Sequence, residues 1–236
     1  MKSALVFTVA GFILLSICAC NVSGNFNGKI VVNNVVLDYD NSTRIAESYQ
    51  AGELEIDLGS GDVKIRGNSG SELNLMVEYK EYKPGDATIL IKNGKLSYET
   101  KSGKPAAIMG VSGTVPQSVS LKIDTGSGDV EVAEMRGNRD LSIDTGSGKV
   151  KVSNCALIKL QADTGSGGVD IAESSITKLD ADTGSGNVSL IGSRIGSAKV
   201  NTGSGNIRII DSEIEHRMFE TGSGKVSEEG DSARAD

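Results

Sequence analysis

Between residues 115 and 226, apolar and polar positions recur on a fixed rhythm. The phrase T-G-S-G marks it. Its first glycine falls at Gly126, Gly146, Gly165, Gly184, Gly203 and Gly222, so the spacings are 20, 19, 19, 19 and 19 residues. A weaker copy, Asp57-Leu58-Gly59-Ser60-Gly61, stands upstream. Five residues before the glycine come Leu121, Leu141, Leu160 and Leu179, and three before it Ile123, Ile143, Ala162, Ala181 and Val200. Four after it come Val130, Val150, Val169, Val188 and Ile207, and six after it Val132, Val152, Ile171, Leu190 and Ile209. This alternation of period two predicts two strands per repeat, joined at a glycine corner. Leu157, Ile176, Ile195 and Ile214, eleven after the glycine, add a third inward touch before the next copy.

A period near nineteen predicts a solenoid, in which each coil buries its apolar face only by stacking on its neighbours. Parallel stacking sets each residue over its own copy, about 4.8 Å away. An antiparallel hairpin meander is the competing arrangement, but it gives no reason for so strict a spacing. The expected fold is therefore all-β: a parallel β-helix, or solenoid, with coils of 19–20 residues.

The pattern also sets boundaries. The solenoid is expected over residues 30–226, with regular coils from about 115 and a less regular N-terminal part that widens or caps one end. Residues 52–67 read as one coil, and 72–82 and 87–100 as longer strands, the latter folded at Asn93-Gly94, a type I′ turn sequence. Residues 227–236 abandon the pattern for charge, which suits a tail guarding an open strand edge.

Composition sharpens the picture. The chain has 236 residues, 30 glycines, no tryptophan and 4% aromatic residues, so its interior is expected to be stacked aliphatic side chains. A net charge of −7 argues against a nucleic-acid partner, which calls for clustered Lys and Arg. The N-terminus reads as an export signal, with Lys2 followed by an apolar run from Ala4 to Leu15, too short for a comfortable membrane span. Ile17-Cys18-Ala19-Cys20 resembles the lipobox of bacterial lipoproteins. That resemblance implies a signal peptide over 1–19, lipidation of Cys20, and a tether over 20–29. Asn21 after the lipidated cysteine implies outer-membrane sorting. Cys155 would remain as the only free thiol, which leaves no partner for a disulfide.

At residues 115–132, VPQSVSLKIDTGSGDVEV, and again in every DTGSG-x-V copy, the chain resembles a bacterial β-strand-repeat family of unknown function whose members are provisionally named adhesins. The resemblance spans roughly residues 50–227 and implies an exported, single-stranded β-helix.

Candidate chemistry is sparse. Asp57, Asp124, Asp144, Asp163 and Asp182, continued by Asn201 and Glu220, form an outward column that invites a hard cation such as Ca²⁺. The G-G-x-G-x-D motif of calcium-binding solenoids is absent. Each Asp is expected instead to accept hydrogen bonds from the backbone of its own corner, as in an Asx turn, since Asn201 does the same without charge. The glycines at 126, 146, 165, 184, 203 and 222 are read as turn-forming. Thr and Ser of each phrase are expected to form hydroxyl ladders along the stack; the ice-binding alternative suits them less, because a corner glycine separates the two columns. His216 falls on a solvated row, and Cys155 on the inward parity of Leu157, as a buried inert thiol. Glu78, Glu81 and Asp86 are the only acids near a loop that could build a polysaccharide-cleaving cleft. No catalytic residue, metal site or cofactor is assigned.

Function is expected to be non-enzymatic: a lipid-anchored cell-envelope solenoid acting as a binding or adhesion-like surface scaffold. Its partners would be the membrane, through the lipid, and a glycan or envelope protein. The alternatives are a polysaccharide-active β-helix enzyme and an envelope-stress accessory protein that binds a protein partner.

Overall fold

The computed structural model describes residues 30–230; the expected signal peptide, Cys20, the tether and residues 231–236 lie outside them. The described residues form strands and turns only. Chain order begins with a short antiparallel hairpin, β1 (Ile30–Val32) and β2 (Val35–Leu37), followed by β3 (Tyr39–Ser48). The first coil is β4 (Glu53–Leu58) and β5 (Asp62–Asn68), joined at Gly59-Ser60-Gly61. An excursion follows: β6 (Glu72–Glu81), the hairpin β7 (Ala87–Lys92) and β8 (Lys95–Thr100), and β9 (Ala107–Pro116). The array then runs through β10 (Ser120–Thr125) and β11 (Val130–Ala133), β12 (Arg139–Thr145) and β13 (Val150–Ser153), and β14 (Ala156–Thr164) and β15 (Val169–Ala172). It ends with β16 (Ser175–Thr183) and β17 (Val188–Ile191), β18 (Arg194–Thr202) and β19 (Ile207–Ile210), and β20 (Glu213–Thr221) and β21 (Val226–Glu229).

Like sits on like, as the spacing predicts. Leu121 pairs with Leu141, Leu141 with Leu160, and Leu160 with Leu179, all in parallel register. Strands before the glycine corner stack into one sheet and strands after it into a second, so the core lies between two stacks of identical positions. One contiguous apolar cluster runs from Tyr49 to Ile214. The single 20-residue gap is taken up between Ala133, paired with Ser153, and Leu141, paired with Leu160, in the turn that leads from β11 to β12.

The excursion caps the N-terminal end in a way the sequence does not spell out. Strand β4 is flanked by β8 on one side and β10 on the other, and β5 by β9 and β11. The chain therefore completes one coil, adds mixed strands to its outer side, and returns to build the remaining coils on its opposite side. The added part is antiparallel where β6 meets β9 and β3. The β7–β8 hairpin turns at Asn93 and Gly94, with φ of 52° and 78°, the left-handed pair that a type I′ turn requires.

The C-terminal end is closed by chemistry. In the last coil, register places Arg217 next to Ala198, in the leucine column, and Glu228 next to Ile209. Their side chains pair at 2.7 Å, Arg217 Nη1 donating to Glu228 Oε2. An ion pair thus stands where a further coil would need apolar side chains, and inward charge of this kind blunts an open sheet edge. Strand β21 continues to Glu229, in register with β19, so Ser227, Glu228 and Glu229 belong to the last coil.

Candidate functional site

The repeated phrase is the natural place to seek a site. Threonine does there what the sequence reading gave to aspartate. Thr stands one residue before the glycine, the same parity as the inward Leu and Ile, and Thr125, Thr145, Thr164, Thr183 and Thr202 are all buried. Each hydroxyl donates to a glycine carbonyl of the preceding coil, as from Thr164 to Gly148 O at 3.1 Å and from Thr183 to Gly167 O at 2.9 Å. Each also accepts from the second glycine of its own phrase, as from Gly167 N at 3.0 Å and Gly186 N at 2.9 Å. The hydroxyl ladder is therefore a threonine-to-carbonyl ladder; the serines of the phrase, Ser127, Ser147, Ser166, Ser185, Ser204 and Ser223, are exposed. The first copy carries Leu58 in place of Thr, and the phrase it would bond to does not exist on its outer side.

The glycines serve close approach between coils. A Cβ on Gly148 would lie 1.8 Å from Gly128 O, and one on Gly146 2.4 Å from Gly126 O. Neither glycine has a positive φ, so clearance and not a left-handed turn is the reason for its being glycine. Left-handed backbone lies at the other corner instead, at Glu134, Asn154, Glu173, Gly192 and Asp211, with φ between 47° and 58°.

Asp57, Asp124, Asp144, Asp163, Asp182, Asn201 and Glu220 do align, one per coil. Lys95 neutralises one end, its Nζ lying 2.9 Å from Asp57 Oδ2 and 3.1 Å from Glu55 Oε1. Burial, then repulsion from Asp57 and Asp144, hold the Asp124 carboxyl above its usual range, against the pull of Lys122 and Lys95. Among the described residues, no group of three or more His, Cys, Asp or Glu is arranged to hold a metal ion. A different column of Asp and Asn bonds to backbone, and to that of the next coil and not of its own corner. Asp62 Oδ1 accepts from Asp129 N at 2.9 Å, Asp129 Oδ1 from Lys149 N at 2.8 Å, and Asn187 Oδ1 from Asn206 N at 2.8 Å.

The sequence pattern of the Toastrack DUF4097 family matches residues 109–231, more than half of the 236-residue chain. The chain belongs to this family. Among solved structures, a protein of Bacteroides fragilis provisionally named an adhesin is 14% identical, with 81% of this chain and 97% of that one covered and a TM-score of 0.47. One from Parabacteroides distasonis, provisionally named a lipid-binding protein, is 15% identical, with 81% and 97% covered and a TM-score of 0.43. One from Clostridium sporogenes, provisionally named a cell adhesion protein, is 13% identical, with 81% and 100% covered and a TM-score of 0.39. No curated protein matches the chain.

The remaining candidates of this Toastrack chain have structural partners. Glu81 is buried, accepting from Gly85 N, Ala87 N and Asn41 Nδ2 at 2.8–3.1 Å. Burial opposes its ionisation, but those hydrogen bonds prevail and hold the carboxyl below its usual range. Asp86, also buried, accepts from Ser102 N and Ser102 Oγ. Both carboxylates thus fix loops, while Glu78 is exposed on the outer sheet face. His216 is exposed. Cys155 is buried, and burial pushes its thiol pKa up despite hydrogen bonding with the Met135 and Ser153 backbone, so the reactive thiolate is disfavoured.

Cys155 also heads a ladder that sequence reasoning missed. Its N–H donates to Ser174 Oγ, Ser174 N to Ser193 Oγ, and Ser193 N to Ser212 Oγ, at 3.1–3.2 Å. The signal was a run of hydroxyl residues at an inward position. Beside it an open groove of about 420 Å³ runs along the left-handed corner, edged by Arg136, Glu173, Arg194, Asp211 and Glu213.

Proposed function

We propose that this Toastrack protein is a lipid-anchored scaffold of the cell envelope that presents a rigid, non-catalytic binding surface. The observation carrying this reading is the engagement of the repeated phrase. Thr hydroxyl, both glycines and the Asx column are bonded or packed against the neighbouring coil, so the residues free to differ between coils lie on the outward faces. Those faces carry mixed charge, with pairs such as Lys151–Glu131 at 3.3 Å, and suit a polar partner. A glycan or an envelope protein fits that description.

The enzymatic alternative relied on Glu78, Glu81 and Asp86. Two of the three hold loops in place, so the three acids do not form one cluster, and the acid that flanks Gly110 opposite Glu78 is Asp62, whose carboxylate accepts from Asp129 N. No comparable observation favours the envelope-stress accessory reading.

A glycan array and a pull-down from envelope fractions with the full-length chain test the binding role. Saturable binding lost on reversing face charges is expected; absence of binding in both would leave a spacer. Hydrolysis of envelope polysaccharide that disappears in Glu78→Gln would overturn the non-enzymatic reading. Mass spectrometry of the mature N-terminus is expected to find a lipidated Cys20.

A further inference from the structure

Among the described residues eight large apolar side chains are exposed, and five of them, Met76, Ile158, Ile191, Met218 and Val226, are scattered along the array. Val36, Tyr39 and Tyr82, 40%, 46% and 43% exposed, gather where the chain enters the fold. Val36 lies in the β1–β2 hairpin, Ile30-Val31-Val32-Asn33-Asn34-Val35-Val36-Leu37, turned by Asn33 and Asn34 at φ of 49° and 62°. Val32 and Leu37 are buried, whereas Ile30, Val31 and Val35 are half-buried. Tyr39 follows and pairs with Glu81, the last residue of β6. The next residue, Tyr82, opens an exposed loop, Tyr82-Lys83-Pro84-Gly85. Hairpin and loop therefore share one end of the strands, on the coil end furthest from β20 and β21.

Three-residue strands make a marginal hairpin, and its outer apolar face has no use in water. A valine-rich hairpin beside two tyrosines and a lysine is, however, the composition of a membrane-interface anchor. Tyrosine rests its ring at the hydrocarbon boundary with its hydroxyl in water, and lysine extends its ammonium toward the headgroups.

We propose that this patch seats on the lipid bilayer, so that the solenoid stands with its first coil at the membrane and its last coil directed away. The proposal rests on the reading of Cys20 as lipidated. Ten Cα–Cα steps separate Cys20 from Ile30, so the hairpin stays within about 34 Å of the anchored sulfur. At that tether length the effective concentration of bilayer is on the order of millimolar, and a patch too weak to recruit the protein from solution still stays seated. The contact is apolar and aromatic, and on a zwitterionic bilayer it is therefore insensitive to salt.

The chain has no tryptophan, so one introduced indole reports alone. The full-length lipidated protein would be reconstituted into phosphatidylcholine vesicles as Val36→Trp, Tyr82→Trp and, at the far end, Met218→Trp. Blue-shifted emission, with most of its intensity lost in lipids brominated on the acyl chain, is expected for the first two and not for the third, unchanged at high salt. Should Val36→Trp fail to fold, Tyr82→Trp, in an exposed loop, carries the test. Lipidated protein whose emission is unquenched at position 82 overturns the docking and leaves the anchor standing. A mature N-terminus without lipid overturns both.

Discussion

Thr164 stands in the middle of the stack and is 5% exposed. Its hydroxyl holds two backbone groups, donating to Gly148 O at 3.1 Å and accepting from Gly167 N at 3.0 Å. Thr164→Val keeps the shape and removes both bonds. Leaving a buried donor or acceptor unmatched costs about 1–3 kcal/mol, so the two together cost roughly 2–6 kcal/mol. The extra buried methyl offsets about 0.8 kcal/mol of that, for a net loss of roughly 1–5 kcal/mol. Against a total stability of about 5–15 kcal/mol, this is a large share for one oxygen. Thr164→Ser removes a methyl but keeps the oxygen, and should lose only about 1 kcal/mol. Urea unfolding followed by far-UV circular dichroism would rank the three proteins, with parent above serine and serine above valine. The same change at Thr221, half-buried in the last coil, should cost less, because water can replace the hydroxyl there. If Thr164→Val proves as stable as Thr164→Ser, the threonine ladder is not what closes the corner.

Three further outcomes are expected. Gly148→Ala would place its Cβ 1.8 Å from Gly128 O and should abolish folding or cost several times more than Gly168→Ala, whose nearest neighbour is Asn187 O at 3.1 Å; expression and thermal unfolding of the pair check this. Replacing the terminal ion pair with the side chains of its own columns, Arg217→Leu with Glu228→Val, should create end-to-end species in sedimentation velocity that the parent lacks, and identical profiles would count against the cap. Asp124 has a raised carboxyl pKa, so the folded state binds that proton more tightly than the unfolded chain does, and stability rises as pH falls through the folded value. Asp124→Asn should therefore raise the thermal midpoint at pH 7, with the gain shrinking toward acid pH; calcium stabilising the parent but not the variant would instead identify the column as a cation site.

Much of this fold was legible because a stacked coil maps sequence period directly onto space. The spacing of nineteen fixes register, and register fixes which side chains share a column. Threonine's role was legible too, since its parity matches that of Leu160 and Ala162, but Asp163 next to it is the more familiar turn former and drew the assignment. The terminal cap is readable in the same way once Arg217 and Glu228 are set in their columns. The excursion between β5 and β10 was not legible. Residues 69–119 carry ordinary strand alternation, and nothing in such alternation says that the next coil will stack on the opposite side of the first. The ladder from Cys155 to Ser212 was obscured because serine is more often a surface residue than an inward one.

Why the repeat says so little about ligands follows from its construction. A residue is copied from coil to coil when the coil beneath it constrains it, and the constraint here is steric and hydrogen-bonding, as at Gly148 and Thr164. Function-bearing residues are then those that break their columns or lie outside the array. The two ends break it most, and they do so differently. At the C-terminal end charge replaces aliphatic side chains inside the last coil, which suits a face turned to water. At the N-terminal end Val36, Tyr39 and Tyr82 are exposed although polar residues there would cost nothing in packing. The last coil also exposes Met218 and Val226, so what sets the N-terminal end apart is a pair of tyrosines beside a valine-rich hairpin, and under the docking proposed above that end is the one nearest the proposed lipid anchor.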